Sequence, residues 1–254
     1  MANTNGGGVQ TTRKTFAIVH ALKELDGARI DELSEHLDMA SSTVHRHVAT
    51  LDDLGYLDRE GDVYHLGLRF LTLGGHAQTR QPVFDLAKEK VDQIARETDE
   101  RSQFIVEDGG RRMYVYTEAG TNAVKTDATI GKRGPIHSSA AGKAILAASS
   151  DEFVADVLDR HGVSQVTPHT IDDRETLLAE IEEIRERGYA FNEQESTLGL
   201  RAVASTITGV NGEVYGAISI AGPAHRFKGE LFRSEYPDLL LAATNEIELK
   251  LEYS

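Results

Sequence analysis

Residues 28–67 constrain the fold more than any other stretch of the chain. Two short runs with apolar residues at helical spacing flank a three-residue break. The first runs from Ala28 to Leu37, with Ile30, Leu33 and Leu37 on one face; the break is Asp38-Met39-Ala40; the second runs from Ser41 to Leu54. Apolar residues three or four apart bury one side of a helix and leave the other to water. Gly55-Tyr56-Leu57-Asp58-Arg59 and Val63-Tyr64-His65-Leu66 then flank Gly61-Asp62, the pattern of a tight two-stranded hairpin. Helix, turn, helix and hairpin in this order predict a winged helix-turn-helix, whose second helix is offered to a DNA major groove.

A preceding helix, roughly Lys14 to Leu25, completes the bundle, with Gly27 as its C′ residue. Asp31 is the expected cap of the next helix, with Glu32 in its first turn, and Ser41 is the expected cap of the third. Val44, Val48 and Leu51, extended by Leu54, form the apolar stripe of that third helix. The opposite face carries Ser42, Thr43, His45, Arg46, Ala49 and Thr50. Short hydroxyls and a guanidinium suit phosphate oxygens and base edges. The predicted DNA contacts are therefore Ser41, Ser42, Thr43, His45, Arg46 and Thr50, with Arg59 on the wing. His47 lies beside the stripe and reads as a partly buried structural histidine.

The charge balance opposes this reading at first sight. Lys and Arg total 27 against 41 Asp and Glu, a formal net charge of −14. The stretch Met39 to Leu51, however, contains no acid. Arginine also outnumbers lysine, 18 to 9, and an acidic, lysine-poor surface suits a salt-rich cytoplasm. At molar salt the Debye length is about 3 Å, so only close contacts with DNA count. A halophilic protein is the expectation.

The 254 residues suffice for two domains. No cysteine is present, so disulfides and thiolate chemistry are excluded. No apolar run approaches the ~20 residues that span a bilayer. Met1 to Gln10 has no apolar stretch of a secretory signal, and the expected location is the cytoplasm. The predicted organisation is a small, polar disordered tail at 1–10, a winged helix-turn-helix domain at 11–67, a linker helix at 68–82 and an effector-binding and oligomerisation domain at 83–254. The apolar residues of Gly67 to Gly75 suit a connecting helix that buries one face, on the body or on a partner chain. Gln81-Pro82 breaks it.

The second domain reads as helix over Val83 to Thr98, strands over Arg101 to Glu107 and Arg112 to Glu118, and helices over Ala140 to Ala148, Phe153 to Arg160 and Arg174 to Arg187. Strands follow at Tyr189 to Asn192, Ala202 to Ile207 and Val214 to Ala221, and a last helix at Pro237 to Leu251. Tight hairpins at Asp108-Gly109-Gly110 and Asn211-Gly212 imply a mainly antiparallel sheet with helices packed on it, an α+β fold.

The chain resembles the IclR-type transcriptional regulators over about Thr12 to Leu251. The resemblance is carried by Ser42-Thr43-Val44-His45-Arg46, Leu54-Gly55-Tyr56-Leu57, Gly134-Pro135-Ile136-His137-Ser138-Ser139-Ala140-Ala141-Gly142-Lys143-Ala144, Gly188-Tyr189-Ala190, Gly199-Leu200-Arg201 and Ala217-Ile218-Ser219-Ile220-Ala221-Gly222-Pro223. It implies a C-terminal domain related to GAF sensor domains, a dimer or tetramer, and a small-metabolite effector that controls catabolic genes, of sugars or organic acids. By motif position it implies an effector site at the amides of Ala140 and Ala141, with Asn192, Ala202, Ser219 and Ala221. Asn192, Ala202 and Ala221 stand where some members carry other polar groups that hold a small carboxylate, so a bulkier or less polar ligand is expected. Successive N–H groups at a helix start favour an anion in any case.

Other readings are weaker. Gly142-Lys143 lacks the following Ser or Thr and the leading glycine of a phosphate loop. No Gly-x-Ser-x-Gly surrounds Ser138 and Ser139, which leaves a hydrolase only as a triad assembled in space. The ten histidines show no zinc spacing; a metal in the effector pocket, or a ligand-free DNA-binding regulator, stays as an alternative. No cofactor is expected beyond the effector, whose identity the residues leave open.

Overall fold

The computed structural model describes residues 8–124 and 126–253. The expected tail at 1–10 lies partly outside them, and its last residue, Gln10, is already helical. The chain divides into two compact units, Met1–Arg80 and Gln81–Ser254. No helix among the described residues is long and apolar enough to cross a membrane.

The first unit contains α1 (Gln10–Glu24), α2 (Ile30–His36), α3 (Ser41–Asp53), β1 (Leu57–Glu60), β2 (Val63–Leu66) and α4 (Arg69–Gln78). Ile18, Leu22, Leu33, Val44, Val48, Leu51 and Leu57 form its core, as the helical spacing requires. Leu54 does not join the stripe; it is the C-cap of α3 and is exposed.

All three helices of the bundle stop in the same way. A left-handed residue follows the cap (Asp26, Asp38 and Gly55), and the next N–H reaches back to the carbonyl five residues earlier. These bonds are Gly27 N–H to Leu22 O at 3.0 Å, Met39 to Ser34 at 3.0 Å, and Tyr56 to Leu51 at 2.8 Å. Gly27 is thus one position beyond the C′ site expected for it, which Asp26 occupies. The helix starts differ from expectation as well. Asp31 lies inside α2, whose cap is Arg29; the Arg29 N–H donates to Glu32 Oε2 at 2.7 Å. Ser41 is the first residue of α3, after an Ala40 cap without a side-chain bond, and its hydroxyl donates to Ser34 Oγ at 3.1 Å.

β1 and β2 pair antiparallel, Leu57 opposite Leu66, and Ala28 exchanges backbone bonds with Tyr64 at 3.0 and 2.9 Å. α4 is tied to this hairpin at its start. Arg69 donates to Leu54 O at 2.6 Å, and the Phe70 ring lies 4.9 Å from that of Tyr56. Beyond that contact α4 buries no residue, and Leu71 and Leu73 are exposed. The rest of the first unit therefore leaves the apolar face of this helix uncovered.

The second unit comprises α5 (Pro82–Thr98), β3 (Arg101–Glu107), β4 (Arg111–Ala119), β5 (Arg133–Pro135), α6 (Ala140–Ala148), α7 (Asp151–His161), α8 (Arg174–Arg187), β6 (Tyr189–Glu193), β7 (Leu200–Thr208), β8 (Val214–Pro223), a π-helical turn (Leu231–Glu235) and α9 (Tyr236–Glu252). The strands form one antiparallel sheet in the order β5-β4-β3-β8-β7-β6. Alternation along each strand splits the core between the two faces. Phe104, Val203, Ile218 and Ile220 pack with α5 and α9, whereas Ile105, Ala190, Ala204 and Ala217 pack with α6, α7 and α8. The second face is built of small residues where α6 crosses it. Gly142 serves the same close approach, because a Cβ there would fall 1.8 Å from the Ile136 carbonyl oxygen.

Candidate nucleic-acid interface and effector cavity

The outward face of α3 is polar and largely unattached. Ser41, Ser42, His45, Arg46 and Thr50 are exposed and Thr43 is partly so. Arg46 forms no ion pair among the described residues, so its guanidinium is available to an incoming phosphate or base. The Thr50 hydroxyl donates to Arg46 O at 2.8 Å. His47 Nδ1 meets Thr15 Oγ1 at 2.9 Å, which fixes the ring between α3 and α1. Partial burial, then the charges of Lys14 and Arg46, hold its pKa below the ordinary histidine value.

A groove between α1 and α3 adds residues outside the predicted DNA contacts, among them Gln10 of the expected tail. Gln10, Thr11 and Lys14 line it together with Thr43, Arg46, His47 and Thr50, and no acid is among the lining residues. Their signal in the sequence was an acid-free polar face on α1, hidden because the helix begins four residues before the expected start. The wing is less basic than expected. Arg59 folds back over its own hairpin, donating from Nε to Gly61 O at 2.7 Å and lying 5.3 Å above the Tyr64 ring. Asp62 at the turn pairs with Arg29 at 3.0 Å.

In the second unit, Ala140, Ala141, Asn192, Ala202, Ser219 and Ala221 all line one cavity of about 60 Å³. The register explains this. Asn192 faces Ala202 across β6 and β7, Ala202 faces Ala221 across β7 and β8, and Gln103 faces Ser219 across β8 and β3. Alternate residues of neighbouring strands thus share one face beneath the start of α6. Ser139 caps that helix by accepting from Gly142 N–H at 3.1 Å. Ala140 and Ala141 occupy its first turn, where amides have no helical acceptor.

Asn192 is structural as much as it is exposed to the cavity. Its Nδ2 donates to Ser138 O at 3.2 Å and Ser196 Oγ at 2.7 Å, and its Oδ1 accepts from Glu195 N–H at 2.9 Å. Beside it, Lys143 is 2% exposed and donates to Glu195 Oε1 at 2.9 Å and Glu180 Oε1 at 3.4 Å. This ion pair ties α6, one wall of the cavity, to the loop carrying Ser196 and Thr197, another wall. Lys143 therefore clamps the fold, and no phosphate loop exists here.

The neighbouring His137 and Ser138 are likewise spoken for. Ser138 Oγ donates to Pro135 O at 3.2 Å, and His137 Nε2 donates to Ser164 O at 2.9 Å. Burial, opposed by that hydrogen bond, keeps the His137 pKa below its ordinary value. With both serines and the histidine facing backbone partners, no nucleophile–base pair forms. Among the described residues no three His, Asp or Glu side chains converge as a metal site.

Arg101, Gln103, Ser139, Ser196 and Thr197 add polar groups to the cavity wall. Arg101 and Gln103 escaped the sequence reading. Their place on the cavity wall depends on β3 pairing with β8, which lies more than a hundred residues away.

The IclR helix-turn-helix family model matches residues 11–61, and the model of the bacterial transcriptional regulator IclR C-terminal domain matches residues 75–249. The chain belongs to the IclR family. The "Probable HTH-type transcriptional regulator ArcR" of Halobacterium salinarum is 31% identical over 243 residues, 92% of this chain and 91% of that protein. The crystal structure of the Thermotoga maritima IclR superposes with a TM-score of 0.82 at 28% identity, covering 96% of this chain and 99% of the other. An IclR homologue from Microbacterium hydrocarbonoxydans, solved with 4-hydroxybenzoate, shares the fold at a TM-score of 0.78 and 23% identity, over 94% of this chain and 100% of that one. This IclR protein is accordingly a DNA-binding transcriptional regulator with an α+β architecture, and not an enzyme.

Proposed function

We propose that this IclR regulator changes its hold on an operator when a small metabolite enters the cavity beneath α6. The observation that carries the proposal is the convergence of Ala140, Ala141, Asn192, Ala202, Ser219 and Ala221 on that one cavity. The carboxylate bound by the Microbacterium homologue supports a ligand role for this kind of domain.

Contact with DNA falls to Ser41, Ser42, Thr43, His45, Arg46 and Thr50 of α3. Gln10, Thr11 and Lys14 add phosphate contacts from α1, and Arg59 adds one from the wing. The exposed Leu68, Leu71 and Leu73 provide a contact between two copies, which places two α3 helices on successive major grooves and calls for a pseudo-palindromic operator. The effector acts through the 68–82 segment by favouring one orientation of the DNA-binding units over another, since equal affinity for both would shift nothing. The regulated genes belong to sugar or organic-acid breakdown, and the protein works in a salty cytoplasm.

The test is a fluorescence titration of the purified protein against the promoter fragments flanking its own gene, from low to molar KCl. Saturable binding to one fragment, altered by a cell metabolite extract, supports the reading. Absence of preference for any fragment at every salt concentration refutes it.

A further inference from the structure

The cavity holds one cation without a counter-ion. Arg101 opens β3 opposite Ala221 of β8 and lines the cavity together with Gln103. Its guanidinium donates to Thr117 Oγ1 at 3.3 Å and Val124 O at 3.0 Å, both neutral acceptors, and its Nε is shielded from solvent without a partner. Among the described residues it makes no ion pair. Of the other charges on the cavity wall, Arg201 shares Glu193, at 2.9 Å, with Arg233, and Asp127 pairs with Lys132. A partly buried guanidinium with spare N–H groups is costly unless an anion meets it.

Two further observations point the same way. Gln103 is 5% exposed, accepts from Ser219 Oγ at 3.5 Å and lines the same cavity wall. Across the cavity stand the first-turn amides of Ala140 and Ala141, the positive end of the α6 dipole. Positive potential and unused donors thus meet in about 60 Å³, room for only a few heavy atoms.

We propose that Arg101 is the anchor for the carboxylate of a short-chain organic acid, with Gln103 reading the adjacent polar group. This rests on the reading of the cavity as the effector site, and it replaces the bulkier, less polar ligand expected from the sequence. The planar guanidinium fork matches the two oxygens of a carboxylate.

The experiment is thermal shift and calorimetry on the full-length protein. The probes are sodium acetate, lactate and pyruvate, with acetamide and lactamide as neutral counterparts and matched NaCl as control. At least one acid raises the melting temperature and the amides do not. Arg101→Gln weakens that acid's binding about tenfold to a hundredfold, the worth of a charged hydrogen bond, and Arg101→Lys restores part of it. Circular dichroism confirms that both variants fold.

The inference is overturned if no acid shifts the wild type, if the amides match the acids, or if Arg101→Gln binds the acid as tightly as wild type. Ala141→Trp, which fills the cavity, separates the two levels. Acid binding that survives Ala141→Trp sinks the cavity reading itself. Binding lost in Ala141→Trp but kept in Arg101→Gln sinks only the Arg101 assignment.

Discussion

The DNA-facing side of α3 and the wall of the effector cavity are both polar, yet they are built in opposite ways. On α3, Ser42, His45 and Arg46 stand exposed, and the apolar stripe behind them does the structural work. In the cavity, Asn192, Ser219 and Gln103 are buried and hydrogen-bonded to one another or to the surrounding loop and backbone, so the same residues shape the site and hold the fold. Function and stability are separable in the first region and entangled in the second. Substitutions on α3 should therefore alter binding at constant stability, and substitutions around the cavity should alter both.

The most damaging single change should be Lys143→Met. It leaves Glu195 as an uncompensated charge in the interior and costs about 3–5 kcal/mol in urea unfolding. Adding Glu195→Leu should recover most of that loss; no recovery would mean that the ion pair is not what clamps the loop. Gly142→Ala should follow, at roughly 3 kcal/mol, because the new methyl meets a backbone carbonyl rather than a flexible side chain. A variant as stable as wild type would show that α6 can lift off the sheet.

Arg46→Ala should weaken operator binding by about 1–3 kcal/mol while leaving the melting temperature unchanged. An equal loss of stability would break the proposed separation. The mildest effect concerns pH and touches both regions. His47 and His137 each have a pKa held below 6.5, mainly by burial, so the folded state favours the neutral ring. Their contribution is complete above 6.5 and is lost as pH falls through the depressed folded values, because the unfolded chain then binds more protons. Unfolding midpoints measured downward from pH 7 should decline, and His137→Gln should flatten the decline more than His47→Gln.

The same contrast explains what the sequence made legible. The helix-turn-helix was readable because its period, turn and hairpin lie within forty consecutive residues, and each is set by local backbone preference. Even there the helix ends shifted, since capping at Ala40 and Arg29 comes from backbone geometry and from Glu32 instead of the serine or aspartate nearest the start. In the second unit the strands and helices were mostly readable from alternation and periodicity. β5 was missed because three residues, Arg133 to Pro135, carry no period, and the π-helical turn before α9 was missed because Leu231–Glu235 reads as an ordinary loop. Six cavity residues came from the resemblance to a family. Arg101 and Gln103 required the register of strands distant in sequence, and no local signal marks them.

One consequence follows from the alanines beneath α6. Ala190, Ala204 and Ala217 never reach the cavity, yet they decide how low the helix rides on the sheet and hence how tall the chamber under its first turn can be. A lineage could change the size of molecule it senses by adding or removing methyl groups on that floor, leaving every ligand-facing side chain untouched.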